Sequence, residues 1–227
     1  MAIITFAQTK GGSGKTTSAM ATIAELVARG ETVAAIDLDP NKPLARYLSR
    51  IPELASVPVR SLQPDKRVIA LVKELHKSYN HVIIDLMGAA TNDTQVAMSV
   101  ADLIIIPSQM SSGDLQCALD TFQQASEATE ISGRPIACAV LMTRTSAGAV
   151  RPRVEEHTKQ QYLDAGIPVF AAAFGDRAVW KEMTYAAFVP HLHDRDGNAA
   201  LNFIAIFDEM MERISAAKST KPERKSA

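Results

Sequence analysis

Ile3-Ile4-Thr5-Phe6-Ala7-Gln8-Thr9-Lys10-Gly11-Gly12-Ser13-Gly14-Lys15-Thr16-Thr17 is the stretch on which the fold turns. Ile3 to Ala7 is a short apolar run of the kind that makes a buried strand. Glycines break it, and from about Thr16 to Arg29 apolar residues recur at helical spacing until Gly30 stops them. A strand, a Gly-rich turn and a helix start, in that order, make a phosphate site. Glycines let backbone N–H groups converge on phosphate oxygens, and the helix start adds the positive end of its dipole. Lys15 then falls where it contacts β- and γ-phosphates, and the Thr16 hydroxyl where it ligates magnesium. Gly11, Gly12, Ser13, Gly14, Lys15, Thr16 and Thr17 are the expected nucleotide-binding residues. The spacing G-x-x-x-x-G-K-[ST] is not fully met: Thr9 stands at the first glycine position, and Lys10 opens the loop.

Outward from this loop, apolar runs alternate with amphipathic stretches. Val33 to Asp37, Val82 to Asp85, Leu103 to Ile106 (ended by Pro107), Ile136 to Met142 and Ile167 to Ala171 read as strands, with a weaker one near Val57 to Ser61. Helices are expected over Lys66 to Lys77, Asp114 to Ser132 (capped by Ser111 or Ser112), Val154 to Asp164 and Ala199 to Ala217. Strands that are apolar throughout and separated by helices imply a parallel sheet covered on both faces. The expectation is one doubly wound α/β domain over residues 1–217, followed by a polar, basic and disordered tail at 218–227.

Two aspartates extend the site. Asp37-Leu38-Asp39-Pro40 ends the second strand, and Val82-Ile83-Ile84-Asp85 a later one. Ligands in open α/β sheets collect at the carboxyl ends of strands. Asp85 therefore falls where a carboxylate holds magnesium, and Asp39 where one orients an attacking water. Either aspartate alone would read as a turn residue or helix cap. Both ending apolar strands beside a phosphate loop favour the catalytic role.

Composition removes several function classes. The 227 residues carry a net charge of −1, so a nucleic-acid surface must be a local patch. Cys117 and Cys138 are the two cysteines, without Cys-x-x-Cys spacing, which argues against a disulfide framework or zinc site and fits a reducing cytoplasm. The first residues have no basic leader and no long apolar run, so neither a signal peptide nor a membrane span is expected. Pro190-His191-Leu192-His193-Asp194 lacks a further ligand cluster and reads as a surface turn.

Lys10 opening the loop, the doubled Thr16-Thr17 and the Asp-x-Asp-Pro at Asp37 to Pro40 resemble the ParA/MinD family of deviant Walker ATPases. Leu103 to Pro107, followed by Ser112-Gly113-Asp114, is similar to the family's segment after the second switch. The resemblance implies a P-loop ATPase of slow, partner-stimulated turnover in which ATP and Mg2+ join two subunits face to face. It gives Lys10 the partner's phosphates, Lys15 its own, and Asp39 the water. Asp37 and Asp85 join Thr16 around magnesium, and Gly88 is the hinge of the second switch. Asp85-Leu86-Met87-Gly88 departs from the commoner Asp-x-Pro-Gly or Asp-x-Ala-Gly, and the bulk of Met87 implies slower turnover still.

Within that resemblance the first strand at Ile3 leaves no room for an operator-reading helix-turn-helix, as in the short partition ATPases. The tail has no apolar stripe, unlike MinD-type membrane helices, and Met87 to Asp93 has no cysteine for an iron–sulfur cluster. The implied partners are a second copy of the chain, non-specific double-stranded DNA and a ParB-like or other cargo adaptor. The implied location is cytoplasmic, on the nucleoid when ATP is bound. Arg144, Arg151, Arg153, Arg177 and Lys181 are DNA-contact candidates with the tail, and Met142 to Arg144 are placed to meet the adenine. Asn41-Lys42-Pro43-Leu44 is more similar to VirC-type ATPases of conjugative DNA transfer, which recruit a transfer complex instead of partitioning a plasmid. A small-molecule ligase resembling dethiobiotin synthetase, with Lys10 serving a substrate, is the reading from another class.

Overall fold

A computed structural model of the chain describes residues 2–61, 67–89, 91–148 and 152–219. Among these residues, the strands are β1 (Ala2–Phe6), β2 (Val33–Asp37), β3 (Val59–Ser61), β4 (His81–Asp85), β5 (Leu103–Ser108), β6 (Ala137–Thr145) and β7 (Phe174–Gly175). The helices are α1 (Lys15–Ala28), α2 (Pro43–Leu48), α3 (Val68–Leu75), α4 (Asn92–Val100), α5 (Ser112–Ser132), α6 (Arg153–Asp164), α7 (Ala178–Tyr185), α8 (Pro190–His193) and α9 (Asn198–Ser219). The strands form one parallel sheet in the order β3-β2-β4-β1-β5-β6-β7.

Alternation along each strand divides the core in two. Ile4, Phe6, Ile83 and Ile105 face Met20 and Ile23 of α1 and Phe203 and Phe207 of α9. Ile3, Val82, Ile84 and Ile104 face Val68 and Leu71 of α3, Met98 of α4, Ala118 of α5 and Tyr162 of α6. Burial on both faces explains why the strands read as unbroken apolar runs, as doubly wound folds require. The chain leaves β1 toward β2 on one side and later returns to β5 on the other. This reversal opens a crevice at the carboxyl end of β1, and the phosphate loop begins there.

Local details differ from the sequence reading. β5 does not stop at Pro107 but runs to Ser108. Ile105 O receives Ala7 N, so alternate residues of β5 point their backbone groups at β1, whose pairing ends at Ile105. Pro107 therefore lacks its N–H on a side that β1 has already left. The strand expected at Ile167 to Ala171 is only an isolated bridge, Val140 to Val169, and the edge strand lies beyond it at β7. The helix expected to end at Ala217 continues through Lys218 to Ser219. Most of the expected tail, residues 220–227, lies outside the described residues. The histidine pair forms the short helix α8 instead of a surface turn, and His191 is buried. No helix among the described residues is long and apolar enough to cross a membrane, and no cluster of His, Cys, Asp and Glu there could hold a metal.

His191 belongs to a buried polar knot. Glu25 of α1 is fully buried and accepts a bidentate pair from Arg195 (3.0 Å each) and a bond from Arg29. Burial pushes the His191 imidazole down to about 4, against the pull of Glu25 and with the push of Arg195 and Arg29. A depressed imidazole is neutral in the folded chain, and its stabilisation is complete above the unfolded value near 6.5 and lost as pH falls through about 4. At pH 5 the loss amounts to about 2 kcal/mol. Urea midpoints at pH 7.5 and 5 should therefore separate for the parent and converge for His191→Leu. Equal pH sensitivity in both would place the acid-labile group elsewhere.

Candidate functional site

The phosphate loop leaves β1 and wraps over the start of α1. Gly14 caps α1 in the left-handed region (φ 104°), and an added Cβ would sit 3.3 Å from Cγ2 of Thr143. The positive φ calls for glycine, and the close Thr143 methyl leaves little room for a side chain. The Thr143 hydroxyl donates to Ser13 O (2.8 Å), and Gln109 Nε2 donates to Gly12 O (2.6 Å). The loop is thus braced from the ends of β6 and β5 and preorganised for a ligand. Lys15 is buried and donates to Lys10 O (3.3 Å). Burial lowers its pKa, with Asp85 and Asp39 pulling the other way.

Asp85 ends β4 directly beside β1. Its Oδ2 accepts the Thr16 hydroxyl (2.7 Å), while Oδ1 is buried and, among the described residues, has no hydrogen-bond partner. Burial raises this carboxyl to about 7, and the Thr16 bond opposes the rise. An orphaned buried acceptor next to a hydroxyl is what a hard cation with oxygen ligands would satisfy.

Asp37 is used differently. Its Oδ1 accepts Asp39 N (3.2 Å) and its Oδ2 accepts Ala45 N (3.1 Å), so it ties the end of β2 to the first turn of α2. Asp39 lines the cleft, its Oδ1 accepting Asn41 N (2.8 Å). Asp37 thereby fixes the loop that presents Asp39.

Lys10 does not reach outward. Its ammonium pairs with Asp114 Oδ2 (2.9 Å) and donates to Ser111 Oγ (3.1 Å). Ser111 and Asp114 form the capping box of α5, in which each side chain accepts the other's backbone N–H. Burial works to raise the Asp114 carboxyl, but bonds from Ser111 and Lys10 bring it below its ordinary value.

Gly88 lies against the loop: a Cβ there would come 2.9 Å from Thr9 O, a backbone atom. Gly88→Ala is expected to cost about 2 kcal/mol, or roughly 4–8 °C in melting temperature, because the loop must yield. Thermal melts with and without nucleotide measure this. A variant that melts with the parent in both conditions would mean that the two loops are not in firm contact.

A cleft of about 410 Å3 extends from Gly11 to Thr17, past Asp39, Leu86 and Gly88, to Thr143, Arg144 and the β7–α7 segment. Arg144, Arg177 and Lys181, named among the DNA-contact candidates, line this cleft, and so does Thr143, which with Arg144 belongs to the segment expected near the adenine. Arg144 sits at a register shift between β6 and β7 with φ 54°, and this irregularity turns it out of the sheet. Arg153 is exposed at the start of α6, and Arg151 lies outside the described residues. Among the described candidates, Arg144, Arg177 and Lys181 share the cleft and Arg153 is not part of its lining.

Sequence reasoning passed over Gln109, Ser111, Asp114 as a partner for Lys10, and α2 and α7 as cleft walls. Ser111-x-x-Asp114 carries the capping-box spacing, a signal for the Lys10 acceptor. Gln109 had none, since only the fold brings it to Gly12.

Residues 1–201 match the family model described as VirC1 protein. Protein ParA of Rhizobium radiobacter is 26% identical over 224 residues, covering 94% of this chain and 100% of that protein. Protein virC1 of the same organism is 24% identical over 188 residues, covering 81% and 80%. Among solved structures, cobyrinic acid a,c-diamide synthase from Mycobacterium smegmatis, bound to an ATP analogue and magnesium, superimposes with a TM-score of 0.72. It is 17% identical, covers 95% and 96% of the two chains, and shares the fold.

Proposed function

The chain belongs to the VirC1 protein family, within the ParA/MinD type of P-loop ATPase, and on that premise we propose that it is an ATP-switched dimer that binds DNA and hydrolyses ATP to partition or position a cargo. The observation that carries the reading is the convergence on one cleft of the phosphate loop, Lys15 and Asp39, with a second loop lysine, Lys10, beside it. ATP with magnesium fits the residues present. Thr16 and the orphaned oxygen of Asp85 would hold the cation, and Asp37 would support that corner through the Asp39 loop. When bound, the cation neutralises charge on the β- and γ-phosphates.

Each residue then has a physical task. The loop amides and Lys15 bind and orient the phosphates. Asp39 holds the attacking water in line. Lys10 leaves Asp114 and places its charge on the partner subunit's nucleotide, the trans contribution that phosphoryl transfer rewards most. Turnover is slow until a ParB-like or other adaptor engages the dimer. The proposed location is the cytoplasm, on the nucleoid in the ATP state.

A second reading, recruitment of a conjugative DNA-transfer complex, is favoured by the family match and by Asn41-Lys42-Pro43-Leu44. It uses the same switch with a different cargo. Phosphate release separates both readings from a small-molecule ligase: turnover with only ATP, magnesium and duplex DNA supports the switch. Turnover that appears only when a carboxylate-bearing co-substrate is supplied would overturn it.

A further inference from the structure

The cations of greatest interest outside the cleft lie on α2 and the turn after it. Residues 41–60 contain Lys42, Arg46, Arg50 and Arg60 and a single carboxylate, Glu53, in a chain whose overall charge is −1. His193 lies 3.0 Å from that carboxylate. Lys42, Arg46 and Arg50 are all exposed, and among the described residues none of them forms an ion pair.

Lys42 is the N-cap of α2, Arg46 lies within it and Arg50 follows its C-cap Ser49, so the charge runs as a short stripe of chain from the start of α2 to the turn after it. On the same turns of α2, Pro43 and Tyr47 line the nucleotide cleft, and Leu44 and Leu48 are buried in the core. The stripe therefore adjoins the cleft wall and lies away from the core. Arg46 stacks over the Tyr47 ring at 5.1 Å, and the helix starts from the Asp37–Asp39 loop, which Asp37 ties to Ala45 N. Lys42 is held in the left-handed region (φ 48°) by a turn in which its N–H donates to Asp39 O (2.9 Å).

We propose that Lys42, Arg46 and Arg50 form a site for the phosphate backbone of double-stranded DNA, and that α2 carries the nucleotide signal to it. This deepens the DNA-binding reading above and rests on it. Arg144, Arg177 and Lys181 line the nucleotide cleft, whereas Lys42, Arg46 and Arg50 are not among its lining residues and adjoin its wall at Pro43 and Tyr47. A ligand that presses on Tyr47 reaches Arg46 through the stack between them.

The test measures anisotropy of a random-sequence duplex with ATP and magnesium as salt is raised. Lys42→Gln/Arg46→Gln/Arg50→Gln should lose affinity by about tenfold or more and flatten the log–log salt slope by about two to three, near 0.9 per lost phosphate contact. Lys42→Gln/Arg50→Gln, which leaves the Arg46–Tyr47 stack intact, should flatten it by about two. Arg153→Gln should match the parent, and all variants should bind ATP as the parent does. Variants that bind DNA with the parental affinity and slope would overturn the site while leaving the DNA reading intact, and the stripe would then serve another partner. If the parent binds no DNA with ATP, the DNA reading itself fails, and the stripe proposal with it.

Discussion

Lys10→Ala is expected to abolish ATP-driven dimerisation while leaving ATP and ADP binding largely intact. The loop amides, Lys15 and the Gly14 cap hold the nucleotide within one subunit, and none of them depends on the Lys10 side chain. In the isolated subunit the Lys10 ammonium rests on Asp114 and Ser111 at the start of α5. Its proposed work is done only when it leaves them for the partner's phosphates. A cation supplied in trans is worth on the order of 10³-fold or more in phosphoryl transfer, so steady-state hydrolysis should fall by at least that factor. Sedimentation velocity with ATP reads the dimer, and phosphate release reads the turnover. Removing Lys10 also leaves the buried Asp114 carboxylate with Ser111 alone, so a melt of the variant must accompany both measurements. A Lys10→Ala protein that dimerises normally with ATP would end the trans assignment.

Asp39→Ala should do the reverse: nucleotide binds, the dimer forms and persists, and hydrolysis falls by roughly 10²–10⁴-fold, the usual worth of a group that manages the attacking water. The structure makes this separable from a folding defect. Asp39 lines the cleft and shares one backbone turn with Asn41, while the bonds that tie β2 to α2 belong to Asp37. Asp39→Asn preserves the side-chain acceptor of that turn and serves as the control. Single-turnover phosphate release, with dimer lifetime followed in parallel, measures the effect. Parental turnover in both variants would assign the water to another residue.

The parallel sheet and the phosphate loop were legible because their signals are local. Apolar runs such as Val82 to Ile84 announce strands buried on both faces, and Gly11 to Thr17 between a strand and a helix announce the cradle. The short helices were not legible. α2 has only Leu44 and Leu48 as buried residues, and its stability comes from Pro43 at its start and the Asp37 acceptor, which lies outside it in sequence. β7 is two residues long and placed by pairing with β6, so no period marks it. Ile167 to Ala171 has a strand's composition, but only Val169 forms a bridge. The cations were the least legible of all. Arg177 and Lys181 look like ordinary surface charge in sequence, and only the placing of α7 brings them to the cleft, whereas Arg144 was expected near the adenine from its place at the end of a strand. Lys10 was recognised for its position, and the capping-box spacing of Ser111 and Asp114 marked the start of α5, but only the pairing of β1 with β5 brings that helix start to the loop.

Nucleotide state is expected to control DNA binding, and a single titration reads that control. Anisotropy of a random-sequence duplex is followed with no nucleotide, with ADP and with ATP plus magnesium, at about 50 and 200 mM salt. Binding is expected only with ATP plus magnesium, falling steeply between the two salt concentrations as counterion release requires. No binding in any state, or equal binding in all three, would contradict it.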